Sequence, residues 1–172
     1  MTIKGILFRP SPRAAVDMYL VIVVALMFAL PVGSIVAEVV VSGAPLSLAV
    51  VGKWFALWAV GARLFLAGLR QIIQPRYTAE VVLSLKSPES LLLVRELGFA
   101  NVALGVVGLG GLVWPSWRGA AALCGGLFYA FAGANHVLQA QRGRLENVAM
   151  VSDLWAAAIL LVCTVSLIHA SA

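Results

Sequence analysis

Residues 148–170 read VAMVSDLWAAAILLVCTVSLIHA, and this stretch decides the class of fold. Its only acidic or basic residue besides His169 is Asp153. At ~1.5 Å per residue, a helix of this length crosses the ~30 Å hydrocarbon layer of a bilayer. Working back toward the N-terminus, the segments 14–41, 48–73, 90–113 and 117–140 meet the same standard. Five such spans fill almost the whole chain. The reading is therefore an all-α integral membrane protein with one membrane domain over residues 1–172.

The connections give the orientation. Of 12 Lys and Arg, eight lie on alternate segments: Lys4, Arg9 and Arg13, then Arg70, Arg76 and Lys86, then Arg142 and Arg144. Arg118 lies on the opposite side, and Lys53, Arg63 and Arg95 fall inside spans. Cytoplasmic connections carry the excess of Lys and Arg, which predicts an inner (plasma) membrane protein with a cytoplasmic N-terminus and an outer C-terminus. Residues 74–89 are then a cytoplasmic loop. The basic N-terminal segment before an apolar run also resembles a signal peptide, with Ser42, Gly43 and Ala44 at a cleavable spacing. That apolar run is too long for such a peptide, so the first span is read as a retained helix.

Composition excludes other classes. A chain that is 62% hydrophobic and 11% charged, with a mean hydropathy of +1.02, does not make a soluble domain. A sequence pI near 9.8 would suggest nucleic acid in a soluble protein. Here the basic residues flank spans, so the partner is the lipid bilayer and its anionic headgroups, not nucleic acid. Cys124 and Cys163 sit in the outer halves of their spans with no metal-ligand spacing, and are expected as buried free thiols.

Local signals mark the helix ends. Ser11 and Pro12, and Ser87, Pro88 and Glu89, each place a capping Ser before a first-turn Pro. Pro31 should kink the first helix. Residues 42–45 and 114–117 form outer turns, and Tyr77, Val81, Val82 and Leu85 suggest an amphipathic turn on the inner membrane surface. Short connections between antiparallel neighbours predict an up-and-down bundle. Two faces show small residues at three-and-four spacing: Arg95, Gly98, Asn101, Gly105, Gly108 and Leu112, and Ala122, Gly126, Tyr129, Gly133, His136 and Ala140. Such faces let helices approach closely in lipid.

Polar residues inside spans are the functional signal, because a charge at mid-bilayer costs at least ~2.5–3.5 kcal/mol on insertion scales. Counting depth places Arg63, Arg95, Glu96, Asn101, Asn135, His136 and Asp153 in one layer of the inner half. Either these residues glue the bundle, with Arg63 and Arg95 paired to Glu96 and Asp153, or they line a cytoplasm-facing pocket. In the pocket reading, His136 and Asp153 face each other on consecutive antiparallel helices. Glu38 and Lys53, near the outer surface, are expected to pair. A bis-histidine haem is excluded by depth, because His136 and His169 lie near opposite surfaces. No metal-ligand set, nucleophile constellation or phosphate-binding loop is present, so no catalytic or metal residue is assigned.

From residue 58 onward the chain resembles the DoxX-like group of small four-helix membrane proteins, and more closely a relative family with no assigned activity. The resemblance is carried by Gly61 through Leu69, Glu96 through Gly105, Gly133 through His136, and Asn147 through Asp153. It implies a four-helix up-and-down bundle formed by the second to fifth spans, with the first helix as an addition. It also implies association with quinone-linked oxidoreductases and envelope redox partners, whose members are seldom catalytic on their own.

The leading expectation is thus a non-catalytic accessory or scaffold subunit beside a quinone-linked redox partner. It has a protein partner or forms a homo-oligomer, and it carries no cofactor beyond a quinone or lipid. The alternatives are an oligomeric transporter for small solutes or protons, and a membrane enzyme that uses His136 and Asp153 on a lipophilic substrate.

Overall fold

The computed structural model describes residues 12–83 and 85–170, with side chains from Asp17 onward. The expected Ser11 cap and the basic residues Lys4 and Arg9 lie outside the described residues, as does the side chain of Arg13. Among the described residues the chain is helical throughout its regular structure, with no strand. Five helices are long and apolar enough to cross a membrane: α1 (12–42), α2 (Leu48–Ile73), α3 (Glu89–Gly110), α4 (Trp117–Leu138) and α5 (Arg144–His169). The expected spans reappear with ends shifted by a few residues. The largest difference is at α5, which begins four residues earlier than the apolar pattern. There Glu146 caps its first turn by accepting the Gly143 N–H at 2.7 Å.

Helices α2 to α5 close a four-helix ring, and α1 is added outside it against α2 and α5. The α2–α3 seam depends on glycine. A Cβ on Gly108 would lie 2.4 Å from the Gly61 backbone nitrogen, and one on Gly68 would lie 2.6 Å from the Gly98 carbonyl oxygen. The two backbones therefore touch, which is how helices associate in lipid without a hydrophobic driving force. Gly119, Gly126 and Gly133 seat α5 side chains in the same way along α4.

The ends of the elements follow from local chemistry. Gly43 ends α1 in the left-handed region at φ 64°. Ser47 Oγ accepts the Val50 N–H at 3.3 Å at the start of α2, and Ser87 Oγ accepts the Ser90 N–H at 3.3 Å at the start of α3. Arg142 Nη1 donates to the carbonyls of His136, Val137 and Gln139, which closes the C-terminus of α4. Arg118 Nε does the same for Gly111 at 2.8 Å.

Two helices depart from α geometry. Ala25–Ala29 in α1 and Ala56–Leu64 in α2 are π-helical. The first lies one turn before Pro31, which has no N–H to give the preceding turn. The Met27 carbonyl in that turn accepts the Trp155 indole N–H of α5 at 3.3 Å. Phe28 stacks on Trp155 with centroids 5.6 Å apart. Further along, Trp58 Nε1 donates to Ser34 Oγ at 2.9 Å. The added helix is therefore held by hydrogen bonds as well as by packing.

The cysteines correct one expectation. Both are free, and Cys163 is buried, but Cys124 is exposed on the bundle exterior.

Candidate functional site: a polar cavity at the basic end of the bundle

A cavity of about 210 Å³ lies within the bundle, toward the end that carries Arg70, Arg76, Arg142 and Arg144. Each helix contributes to its wall, α1 included, through Tyr19, Ile22 and Val23. Four of the seven residues expected in this layer meet there: Arg63, Asn101, His136 and Asp153. The depth count thus brought together the right helices.

Arg63 is the centre of the arrangement. It lies in the π segment of α2, and its side chain is 12% exposed. Its Nη1 donates to the Tyr129 hydroxyl at 3.3 Å, and its guanidinium carbon lies 5.4 Å from that ring's centroid. Tyr129, fully buried, donates its own proton to the Ala59 carbonyl of the same π segment. On the other side, Arg63 Nη2 stands 3.5 Å from Asp153 Oδ1, a distance for an ion pair and too long for a good hydrogen bond. Asp153 Oδ1 and His136 Nδ1 are both buried and make no hydrogen bond. The two residues share the cavity wall, but Asp153 is partnered by Arg63 and not by His136.

Asn101 and Gln71 form the α2–α3 bridge below. Asn101 Nδ2 donates to Gln71 Oε1 at 2.8 Å, while Asn101 Oδ1 is buried without a partner. Buried polar atoms without partners are uncommon in folded proteins, because each costs about 1–3 kcal/mol. Asn101 Oδ1, His136 Nδ1 and Asp153 Oδ1, the last ion-paired to Arg63, are three such atoms without a hydrogen bond in one cavity wall.

The mouth is covered by the connection after α2. Tyr77 through Val82 forms a short π-helical turn, in which Ala79 is fully buried. Tyr77, Thr78, Val82 and Leu83 line the cavity. Arg70 lies over the Tyr77 ring, 3.5 Å from its centroid, a cation–π contact. Burial raises the Tyr77 phenol above its ordinary range, with Arg70 acting weakly the other way. Of the residues expected as an amphipathic turn, Tyr77, Val81 and Val82 lie in this π-helical turn and Leu85 follows it, and the turn packs as a cover on the bundle.

Three expected residues are elsewhere. Arg95 and Glu96 are exposed on the outer face of α3, and neither pairs with Arg63 or Asp153. Asn135 is exposed and lines a separate cleft between α3 and α4. The reason for Arg95 is rotational. The buried stripe on α3 runs Ser90, Val94, Gly98, Asn101, Gly105, Gly108, so below Gly98 the step is four and not three. Val94 takes the inward place and Arg95 turns out. Sequence reasoning missed Tyr19, Gln71 and Tyr77 as wall residues, and it treated Tyr129 only as packing. A buried Tyr two turns from His136 on one α4 face was the available signal.

At the opposite end, Glu38 accepts from Lys53 Nζ at 2.6 Å and from Trp54 Nε1, so the expected Glu38–Lys53 pair forms. His136, near the end of α4, and His169, at the end of α5, lie at opposite ends of antiparallel helices.

The fold and the cavity define the class: a multi-pass helical-bundle membrane protein with a buried polar site near one end. Comparison with protein-family models, curated proteins and solved structures gives no match.

Proposed function

We propose that this protein is a non-catalytic subunit of the plasma (inner) membrane that holds the polar head of a lipophilic molecule, a quinone or a lipid, and works beside a partner protein. The observation that carries this reading is the cavity itself. A fully packed bundle would leave no space among Arg63, Asn101, His136 and Asp153, and would leave no buried oxygen or nitrogen there without a partner. Ligand sites in helical bundles are apolar cavities with a few convergent polar groups, as here. The basic end faces the cytoplasm in this reading, by the distribution of Lys and Arg. The resemblance to the DoxX-like group supports a quinone-linked partner.

A transport pathway has less support. Beyond Asn101 the inward stripe of α3 is Gly105 and Gly108, both pressed against α2 backbone, so polar lining does not continue to the other surface. A second reading, an enzyme acting on the held molecule, is favoured by one observation: His136 and Asp153 stand in the same wall, each with a buried atom that makes no hydrogen bond. General acid–base work needs such a pair near its substrate.

The test is purification from native membranes in mild detergent, followed by extraction and mass spectrometry. A lipophilic molecule that co-purifies, and is lost when Ala67→Leu fills the cavity, is the expected result. A ligand-free chain that elutes alone as a monomer overturns the proposal. Turnover of the co-purified molecule that disappears in His136→Gln moves the assignment to the enzyme.

A further inference from the structure

We infer that the molecule held in the cavity is an anionic amphiphile, with a carboxylate or phosphate head between Arg63 and Arg70 and a tail that leaves between α3 and α4. This rests on the reading of the cavity as a ligand site and names the class of ligand.

The charge balance of the wall comes first. Arg63 and Arg70 are seven residues apart on α2, two turns along one face, and both line the cavity. Asp153 is the single carboxylate in the wall, and it stands against Arg63. Among the described residues no carboxylate pairs with Arg70, whose guanidinium rests on the Tyr77 ring instead. His136 and the amides of Gln71 and Asn101 complete the polar wall and add no negative charge. Among the described residues the cavity wall therefore carries two arginines and one carboxylate, with Arg70 in the last turn of α2 at the basic end. Arginine presents a fork of N–H donors that fits carboxylate and phosphate oxygens, and such bonds strengthen where water is excluded. A neutral head offers Arg70 no countercharge, whereas an anionic one does.

The second observation is the path for a tail. A cleft of about 440 Å³ between α3 and α4 shares Leu97, Phe128, Ala132 and His136 with the cavity wall. Its exposed rim includes Phe131, 70% exposed, and Leu85, 43% exposed, beside Asn135, while Gln139 and the buried Glu146 line its inner end. In a bilayer Phe131 and Leu85 meet acyl chains. The cleft adjoins the head chamber across the shared side chains, so an amphiphile that parts them seats its head without drawing its tail out of the membrane. A soluble anion has no use for that cleft.

The experiment measures binding of radiolabelled oleate to the full chain in detergent micelles, with oleyl alcohol, a short-tailed quinone and inorganic phosphate as competitors. Oleate should bind about tenfold more tightly than oleyl alcohol or the quinone, and phosphate should not compete. Arg70→Gln should remove the tenfold preference and leave the alcohol unchanged. Ala132→Trp, on the wall shared by cleft and cavity, should weaken oleate and alcohol alike, so the proposal stays testable if Arg70→Gln fails to fold. Equal binding of oleate, alcohol and quinone overturns the anionic head while the ligand site stands. Competition by phosphate as strong as that by oleyl chains overturns the tail. Binding of no probe overturns both this inference and the site it rests on.

Discussion

The two ends of the bundle hold charge in different ways. Around Glu38 each carboxylate oxygen has its own donor, Lys53 for one and Trp54 for the other, and both members of the ion pair remain about one fifth exposed. Around Arg63 the ion pair is longer, at 3.5 Å, more deeply buried, and set beside a cavity with unsatisfied oxygen and nitrogen atoms. The difference separates glue from site. A polar cluster that only joins helices closes on itself. The Arg63 cluster instead leaves Asn101 Oδ1 and His136 Nδ1 without hydrogen bonds beside a cavity, the space the proposed ligand would fill.

If that distinction is right, substitutions at the Arg63 end should cost far more than those at the Glu38 end. The largest effect is expected for Arg63→Leu, which strands a buried Asp153 and loses the Tyr129 contact. The loss should be about 3–5 kcal/mol in detergent unfolding, the usual result of removing one partner of a buried pair. The double variant Arg63→Leu with Asp153→Leu should recover much of it. A double variant no better than the single would break the comparison, because Asp153 would then not depend on Arg63.

Tyr129→Phe comes next. It removes the donor to the Ala59 carbonyl and the acceptor for Arg63, at about 1–3 kcal/mol for groups left unpaired in the interior. Thermal unfolding indistinguishable from the parent chain would mean that water replaces the hydroxyl, and the π segment of α2 would need another support.

The His136 and Asp153 relationship gives a smaller and sharper test. Because Asp153 is engaged by Arg63 and makes no hydrogen bond to His136, the losses from His136→Gln and Asp153→Asn should add within about 0.5 kcal/mol. Strong non-additivity would show that the two act as a unit, and it would strengthen the enzyme reading. Smallest of all, Glu38→Gln should cost under about 1 kcal/mol and become milder in high salt, as expected for a rim ion pair.

Depth was legible in the sequence; azimuth was legible only in part. Counting residues from the basic connections brought Arg63, Asn101, His136 and Asp153 to one level. The glycine stripes correctly named the faces on which Gly98, Asn101, Gly105, Tyr129 and His136 are buried. The same stripe failed at Arg95 because steps of three and four are equally permitted, and the structure steps from Gly98 to Val94. Glu96 and Asn135 failed for a related reason: Glu96 lies two residues from both Val94 and Gly98, about 200° round the helix, and Asn135 lies one residue from His136, about 100° round. The π segments were not readable either. They shift the register of side chains past Ala56–Leu64, and no residue in that run announces a wider turn. Tyr19 and Tyr77 belong to the added helix and to a loop, where apolar periodicity carries no information about a cavity on other helices.

The bond between Trp155 and the Met27 carbonyl bears on the order of assembly. The two residues are 128 positions apart in the chain, so the first helix to reach the membrane completes its attachment only when the last one does. Ser34 and Glu38 meet their donors as soon as α2 is in place, whereas the Met27 carbonyl lacks the Trp155 indole until α5 arrives. The seam between α1 and α5 is therefore the last of the α1 contacts to close, and the cavity, whose wall takes Tyr19 from α1 and Asp153 from α5, is enclosed at that moment. A nascent chain stopped before Trp155 would present four helices in the bilayer and no closed site.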